Sequence, residues 1–213
     1  MTEGMLFAAA LARAGCLLAG YACGCLLTAE TVARQALGAS AFDVGSGNPG
    51  MANIAALLGV GPAALVLAGD ILKTVAAVLI GTAVVAPGLG AAAVAWAGLG
   101  AALGHNFPFW HRFRGGKGVT VTCSAIVLID PLGGFASLAV GLAVVLASKQ
   151  LSFGALAIVA TWCVCAYSLF GAGEVFAISL LLAALMLLAH GAVAWRGLHG
   201  GEPETDLLAA LKR

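Results

Sequence analysis

Two glycine-rich segments hold most of the residues in this 213-residue chain that could do chemistry. The first runs Phe42-Asp43-Val44-Gly45-Ser46-Gly47-Asn48-Pro49-Gly50-Met51-Ala52-Asn53. It offers a hydroxyl, two amides and unhindered N–H groups ahead of a short helix expected over 51–58. Helix N-termini and glycine nests favour anions; a tight linker with capping residues accounts for the same composition. The second segment runs Gly104-His105-Asn106-Phe107-Pro108-Phe109-Trp110-His111-Arg112-Phe113-Arg114-Gly115-Gly116-Lys117-Gly118. Its aromatic and basic residues suit a membrane interface. Gly115, Gly116 and Gly118 around Lys117 instead place bare donors and an ammonium at the start of an apolar stretch, which fits phosphate better. Neither segment is a nucleotide loop: the G-x-G-x-x-G match over 45–50 lacks a preceding strand, and Gly118 replaces the Ser or Thr that would hold magnesium.

Fewer polar groups lie elsewhere. Asp70 and Lys73 are three apart within an apolar stretch, hence on one helix face and able to pair. Arg13 is expected to snorkel or to meet a carboxylate from another helix. His190 ends an apolar run, where a helix cap or interface role competes with a chemical one. The short segment Ser148-Lys149-Gln150-Leu151-Ser152 says little. All six cysteines fall in apolar stretches, and neither C-x-C pair has zinc spacing, so they read as small core residues with no metal site.

The solvent that must surround these residues follows from composition. With 62% hydrophobic and 9% charged residues, and a mean hydropathy of +1.07, the chain is too apolar for a soluble domain of its size. A net charge of +1 gives no footprint for nucleic acid. A spanning helix takes about 20 apolar residues, and apolar stretches fall at 5–28, 61–80, 88–104, 118–129, 132–148, 153–170 and 174–195. The reading is an all-α polytopic membrane protein with about seven transmembrane helices, forming one domain over 1–213 with a short cytoplasmic tail at 199–213. The 118–129 stretch is short for a full crossing. Arg34, Arg112, Arg114, Lys117, Lys149, Arg196, Lys212 and Arg213 all fall on one side of this arrangement, and no Lys or Arg falls on the other. By the positive-inside rule the N-terminus is outside, the C-terminus is cytoplasmic, and both glycine-rich segments face the cytoplasm.

In order and spacing, these segments resemble the bacterial acyl-phosphate:glycerol-3-phosphate acyltransferases, the PlsY family. The likeness extends from about Gly20 to Glu202. It is carried by Gly45-Ser46-Gly47-Asn48-Pro49-Gly50 with Asn53, by Asp70-Ile71-Leu72-Lys73, and by Gly104-His105 with Phe107-Pro108 and Gly115-Gly116-Lys117-Gly118-Val119. His190 with Arg196, Gly200 and Glu202 fits a third motif more loosely. The resemblance implies an inner-membrane enzyme that moves a fatty acyl group from acyl phosphate to the 1-hydroxyl of sn-glycerol 3-phosphate. It implies no cofactor, no metal and no obligatory protein partner beyond membrane lipid. Ser46, Lys117 and His190 would then be catalytic. Gly45, Gly47, Asn48, Gly50, Asn53, Lys73, His105, Gly115, Gly116 and Gly118 would bind the substrates.

Two positions depart from that pattern. The family usually has Arg three residues after the final Asn of the first motif, where this chain has Ala56, and Asn three residues after the His of the third, where it has Val193. These losses favour a second reading, a non-catalytic or differently specific relative that binds a phosphorylated ligand. A transporter is the third reading, suggested by Asp70 and Lys73 within a span. Against it, the chain shows no internal repeat and its polar clusters lie at one face.

Overall fold

A computed structural model describes residues 2–199, and its described residues are helical with no strand. The chain divides into two compact units, the first ending at Leu128 and the second beginning at Ile129. The tail expected from 199 onward, and Gly200 and Glu202 with it, lie outside the described residues apart from His199.

The first unit contains α1 (Glu3–Gly24), α2 (Thr28–Leu37), α3 (Met51–Leu58), α4 (Val60–Leu79), α5 (Ala91–Asn106) and all but the last residue of α6 (Val119–Ile129). A π-turn over Ile80–Val85 continues α4. The helix expected over 51–58 is α3. Five segments are long and apolar enough to cross a bilayer: Glu3–Leu37, Val60–Val85, Pro131–Ser148, Leu151–Phe170 and Glu174–Leu198. The other two expected spans coincide with α5 and α6, which have only 16 and 11 residues. Large apolar side chains such as Phe7, Leu132 and Leu188 point outward from their helices. That arrangement costs free energy in water and none in lipid.

The seam between α1 and α5 is built from small residues. A Cβ added at Gly20 would strike the Ala97 carbonyl oxygen, and one at Gly24 would strike that of Ala101. From the other side, Cβ atoms at Gly100 and Gly104 would strike the carbonyls of Leu17 and Tyr21. Lipid tails supply no hydrophobic drive for helices to associate, so such close backbone approach supplies the packing. Gly100→Ala is therefore expected to destabilise the protein by about 1–3 kcal/mol through overpacking, read as a lower thermal midpoint in detergent. An unchanged midpoint would contradict the seam.

The first apolar run is not one helix. It breaks after Gly24, where Leu27 is extended, and resumes as α2. The carbonyls that the break releases are taken by distant side chains: Trp110 Nε1 donates to Cys25 O (3.1 Å) and Lys73 Nζ to Leu26 O (2.8 Å). Arg13 donates to Ala9 O at 2.9 Å. Past the break, the buried Glu30 carboxylate gathers the chain leaving α2. It accepts from Arg34 Nε (2.6 Å), Ser40 Oγ (2.9 Å) and Ala41 N (2.8 Å). Glu30→Gln keeps an acceptor but loses the charge, and should lower stability by about 1–2 kcal/mol; a thermal melt equal to the parent would rule this out.

In the second unit, Asp130 Oδ2 accepts from Gly133 N (2.7 Å) and caps α7 (Pro131–Ser148) behind Pro131. α7 packs on α8 (Leu151–Phe170), and α8 on α9 (Glu174–Leu198). Gly141 lies close against Ile158, and the fully buried Trp162 donates from Nε1 to Ser179 Oγ at 2.9 Å.

Candidate active site

The first glycine-rich loop is organised by Asn53, which is buried in the first turns of α3. Its Oδ1 accepts from Ser46 N (2.8 Å), and its Nδ2 donates to Val44 O (3.1 Å) and Ala41 O (3.3 Å). The Asn53 amide is thus spent on loop backbone, and its part is to shape the loop. A Cβ at Gly45, whose φ is +59°, would strike Asn53 Oδ1. Ser46 is exposed at the tip, Asn48 is half-buried, and Gly47 turns with φ +69°. The Gly47 and Gly50 N–H groups are satisfied inside the loop, by Val44 O (3.0 Å) and Asn48 O (2.8 Å). Of the donors that composition suggests, these two are therefore internal. Ala56 is exposed on α3.

The second loop folds back on the end of α5. Tyr21 Oη donates to Phe107 O at 2.7 Å, and with the Trp110 bond to Cys25 this pins the turn to α1. Gly116 N then donates to His105 O at 3.0 Å. Gly116 is required by close approach, since a Cβ there would land on His105 Nε2. Gly118 has φ +74°, and its Cβ would strike Asn106 Oδ1, a buried atom with no hydrogen-bond partner among the described residues. Gly118 O accepts from Thr122 N at 2.9 Å, so the half-buried Lys117 stands two residues before Val119, the first residue of α6. The helix dipole there adds to the ammonium in favouring an anion. The rings of Phe42 and His111, 5.3 Å apart, bring the two loops together.

Beneath the second loop lies a buried polar chain. Asp70, Lys73 and His105 are 3%, 6% and 3% exposed. Lys73 Nζ is 2.7 Å from Asp70 Oδ1 and 2.7 Å from His105 Nδ1, in addition to its bond to Leu26 O. The pairing of Asp70 with Lys73 is as their spacing suggests. Lys73 is enclosed by these groups. Sequence reading missed Asn106, Tyr21 and Trp110 as supports for the loop. Their signal was no more than a polar or amphipathic residue at a span end.

His190 lies in the second unit, buried on α9, with Nδ1 3.3 Å from Met186 O. A carbonyl only accepts, so Nδ1 carries a hydrogen. Val193, half-buried, is three residues further along the same helix. Among the described residues no group of three or more His, Cys, Asp or Glu side chains could hold a metal.

Two glycine loops are drawn together at helix ends, with an ammonium at one of them. The family profile for glycerol-3-phosphate acyltransferase matches residues 14–200. A glycerol-3-phosphate acyltransferase of a Thermoanaerobacter species (strain X514) is 32% identical over 192 residues, covering 90% of this chain and 95% of that one. Another from Thioalkalivibrio sulfidiphilus is 38% identical over 200 residues, covering 94% and 95%. Crystal structures of PlsY, described as an integral membrane glycerol 3-phosphate acyltransferase, in glycerol 3-phosphate and lysophosphatidic acid forms, superpose with TM-scores of 0.83 and 0.81. They share 24% identity and cover 94% of this chain and 99% of theirs, a likeness that speaks for the fold. The chain belongs to the glycerol-3-phosphate acyltransferase family, and it is a multi-pass membrane protein.

Proposed function

We propose that this chain transfers a fatty acyl group from acyl phosphate to the 1-hydroxyl of sn-glycerol 3-phosphate. The observation that carries the reading is the second loop, where Lys117 and glycine backbone are held at the start of α6 above a fixed histidine. The hydroxyl oxygen attacks the acyl carbon, the bond from that carbon to the phosphate oxygen breaks, and the hydroxyl proton leaves on phosphate. The products are lysophosphatidic acid and inorganic phosphate. An acyl phosphate already carries a good leaving group, so the protein's work is to position two anions and stabilise the developing oxyanion.

Lys117, Gly115, Gly116 and Gly118 hold a phosphoryl group in this scheme. Ser46, Gly45, Gly47, Asn48 and Gly50 form the second cradle, shaped by Asn53, and His190 hydrogen-bonds the substrate hydroxyl or a phosphate oxygen. Seven crossings, with α5 and α6 as the two short ones, put the N-terminus outside and both loops on the cytoplasmic side. That orientation is supported by the one-sided placement of Lys and Arg outside the spans. One domain working without an obligatory protein partner suffices for this chemistry. Mass spectrometry of the product formed from palmitoyl phosphate and glycerol 3-phosphate tests the reading. 1-Palmitoyl lysophosphatidic acid is the expected product; acylation of another acceptor alone would replace glycerol 3-phosphate in the scheme, in keeping with Ala56 and Val193.

A further inference from the structure

The two glycine loops meet where the ring of Phe42, from the first, lies against that of His111, from the second. Their centroids are 5.3 Å apart and their planes are inclined at 41°. Each ring stands on backbone that its own loop holds in place. Phe42 N donates to Ser40 Oγ (3.3 Å), and Ser40 Oγ with Ala41 N donates to Glu30. Ala41 O accepts from Asn53, the residue that also fixes Val44 O and Ser46 N, so Phe42 is tied to the glycine turn that follows it.

His111 belongs to a tight turn built on Pro108. His111 N and Phe113 N both donate to Pro108 O, at 3.1 and 3.0 Å, and Trp110 is tethered to Cys25 O. To complete the turn, Arg112 and Phe113 adopt φ of +56° and +58°, left-handed backbone that side chains disfavour. Two such residues in succession persist where their surroundings impose them. The turn they complete carries the His111 ring to Phe42.

This contact governs a distance. With one phosphoryl group in each loop, the reaction takes place across the gap between them. The attacking hydroxyl oxygen must come to about 3–3.5 Å from the acyl carbon. In glycerol 3-phosphate that hydroxyl is three carbons from its own phosphate, and in the donor the acyl carbon is one oxygen from phosphorus. Once both phosphates are held, the gap decides which acceptor length can bridge it.

We propose that the Phe42–His111 ring contact sets this gap and makes the two loops a ruler for the acceptor, selecting a hydroxyl three carbons from its phosphate over one two carbons away. The inference rests on the reading of the loops as two phosphoryl cradles and deepens it. Phe42 and His111 are positioning residues and touch neither substrate.

The test compares 3-hydroxypropyl phosphate with 2-hydroxyethyl phosphate as acceptors from palmitoyl phosphate, using full-length protein in nanodiscs. Both lack the 2-hydroxyl of glycerol 3-phosphate, so the ratio of their kcat/KM values reads length alone. The parent should favour the longer acceptor about 100-fold, and His111→Ala should bring the two within about threefold of each other. His111→Phe keeps a ring in place and should restore the preference; if it behaves as His111→Ala does, the ring contact is not the cause. Phe42→Ala should match His111→Ala, and the double variant should add nothing further. A lesion that merely loosens the fold lowers both acceptors alike, so an unchanged ratio in His111→Ala would overturn the proposal. Absence of a preference in the parent, or turnover of glycerol 3-phosphate with neither analogue, would overturn it as well.

A second measurement does not depend on turnover. With 4-trifluoromethylphenylalanine placed at position 42, the fluorine signal should move in His111→Ala, and a signal that stays in place would refute the contact. A parent that acylates neither glycerol 3-phosphate nor the analogues would instead refute the acyltransferase reading, and the fluorine signal would still decide the contact.

Discussion

Lys117→Ala is expected to lower kcat/KM for glycerol 3-phosphate-dependent phosphate release by about 100- to 1,000-fold while leaving the thermal midpoint near that of the parent. The side chain sits two residues before Val119, the first residue of α6, where helix dipole and ammonium act together on an anion. In a site from which water is partly excluded, a charge of this kind is worth several-fold more than at a surface. Stability should change little, because Lys117 is half-buried in a loop whose shape is set by other groups: the Gly116 bond to His105 O, the Tyr21 and Trp110 pins, and Gly118. Lys117→Arg keeps the charge but changes its shape and reach, and should recover only part of the loss. An alanine variant that turns over within about threefold of the parent would remove Lys117 from the mechanism.

Gly116→Ala should come close to the same loss by a different route. Its methyl would occupy the position of His105 Nε2, and His105 cannot withdraw, because its ring is buried and held by Lys73. The loop must lift, and a displacement of about 1 Å at a reacting group costs about 100-fold in rate. Here both kcat and the KM for the phosphorylated substrate should change, unlike a purely structural lesion elsewhere, which lowers the amount of folded protein with the kinetic constants intact. Titration of active sites against total protein separates the two. Full activity in Gly116→Ala would mean that the loop does not close on His105.

Residue type and local spacing make part of this arrangement legible by themselves. Lys117 between glycines at the head of an apolar stretch is expected at a helix start, and the structure places it just ahead of α6. Asp70 and Lys73 announce their pairing through the three-residue spacing alone. What local pattern cannot carry is the third member of that chain. His105 lies 32 residues from Lys73, and their meeting depends on the packing of α4 and α5 with α1. The same limit applies to Leu26 O, which becomes available only because α1 breaks within a run that reads as uniformly apolar.

Asn53 and the glycines show a subtler gap. From composition Asn53 reads as a ligand contact, whereas its amide is occupied by Ser46 N, Val44 O and Ala41 O. Gly116 reads as a source of an exposed N–H, but that N–H is bonded to His105 O, and the residue is small so that a histidine can approach. In both cases the residue type matches the family pattern while its polar groups are taken up within the protein. Glu30 carried no motif at all, and three hydrogen bonds make it the fastening of the first loop's approach.

The most direct test of the acyltransferase reading is phosphate release from palmitoyl phosphate by the purified protein, measured alongside lysophosphatidic acid with and without glycerol 3-phosphate. One phosphate per lysophosphatidic acid, release only when glycerol 3-phosphate is present, and loss of both signals in Lys117→Ala are the predicted results. Release that proceeds without glycerol 3-phosphate, or that survives Lys117→Ala, would contradict the account.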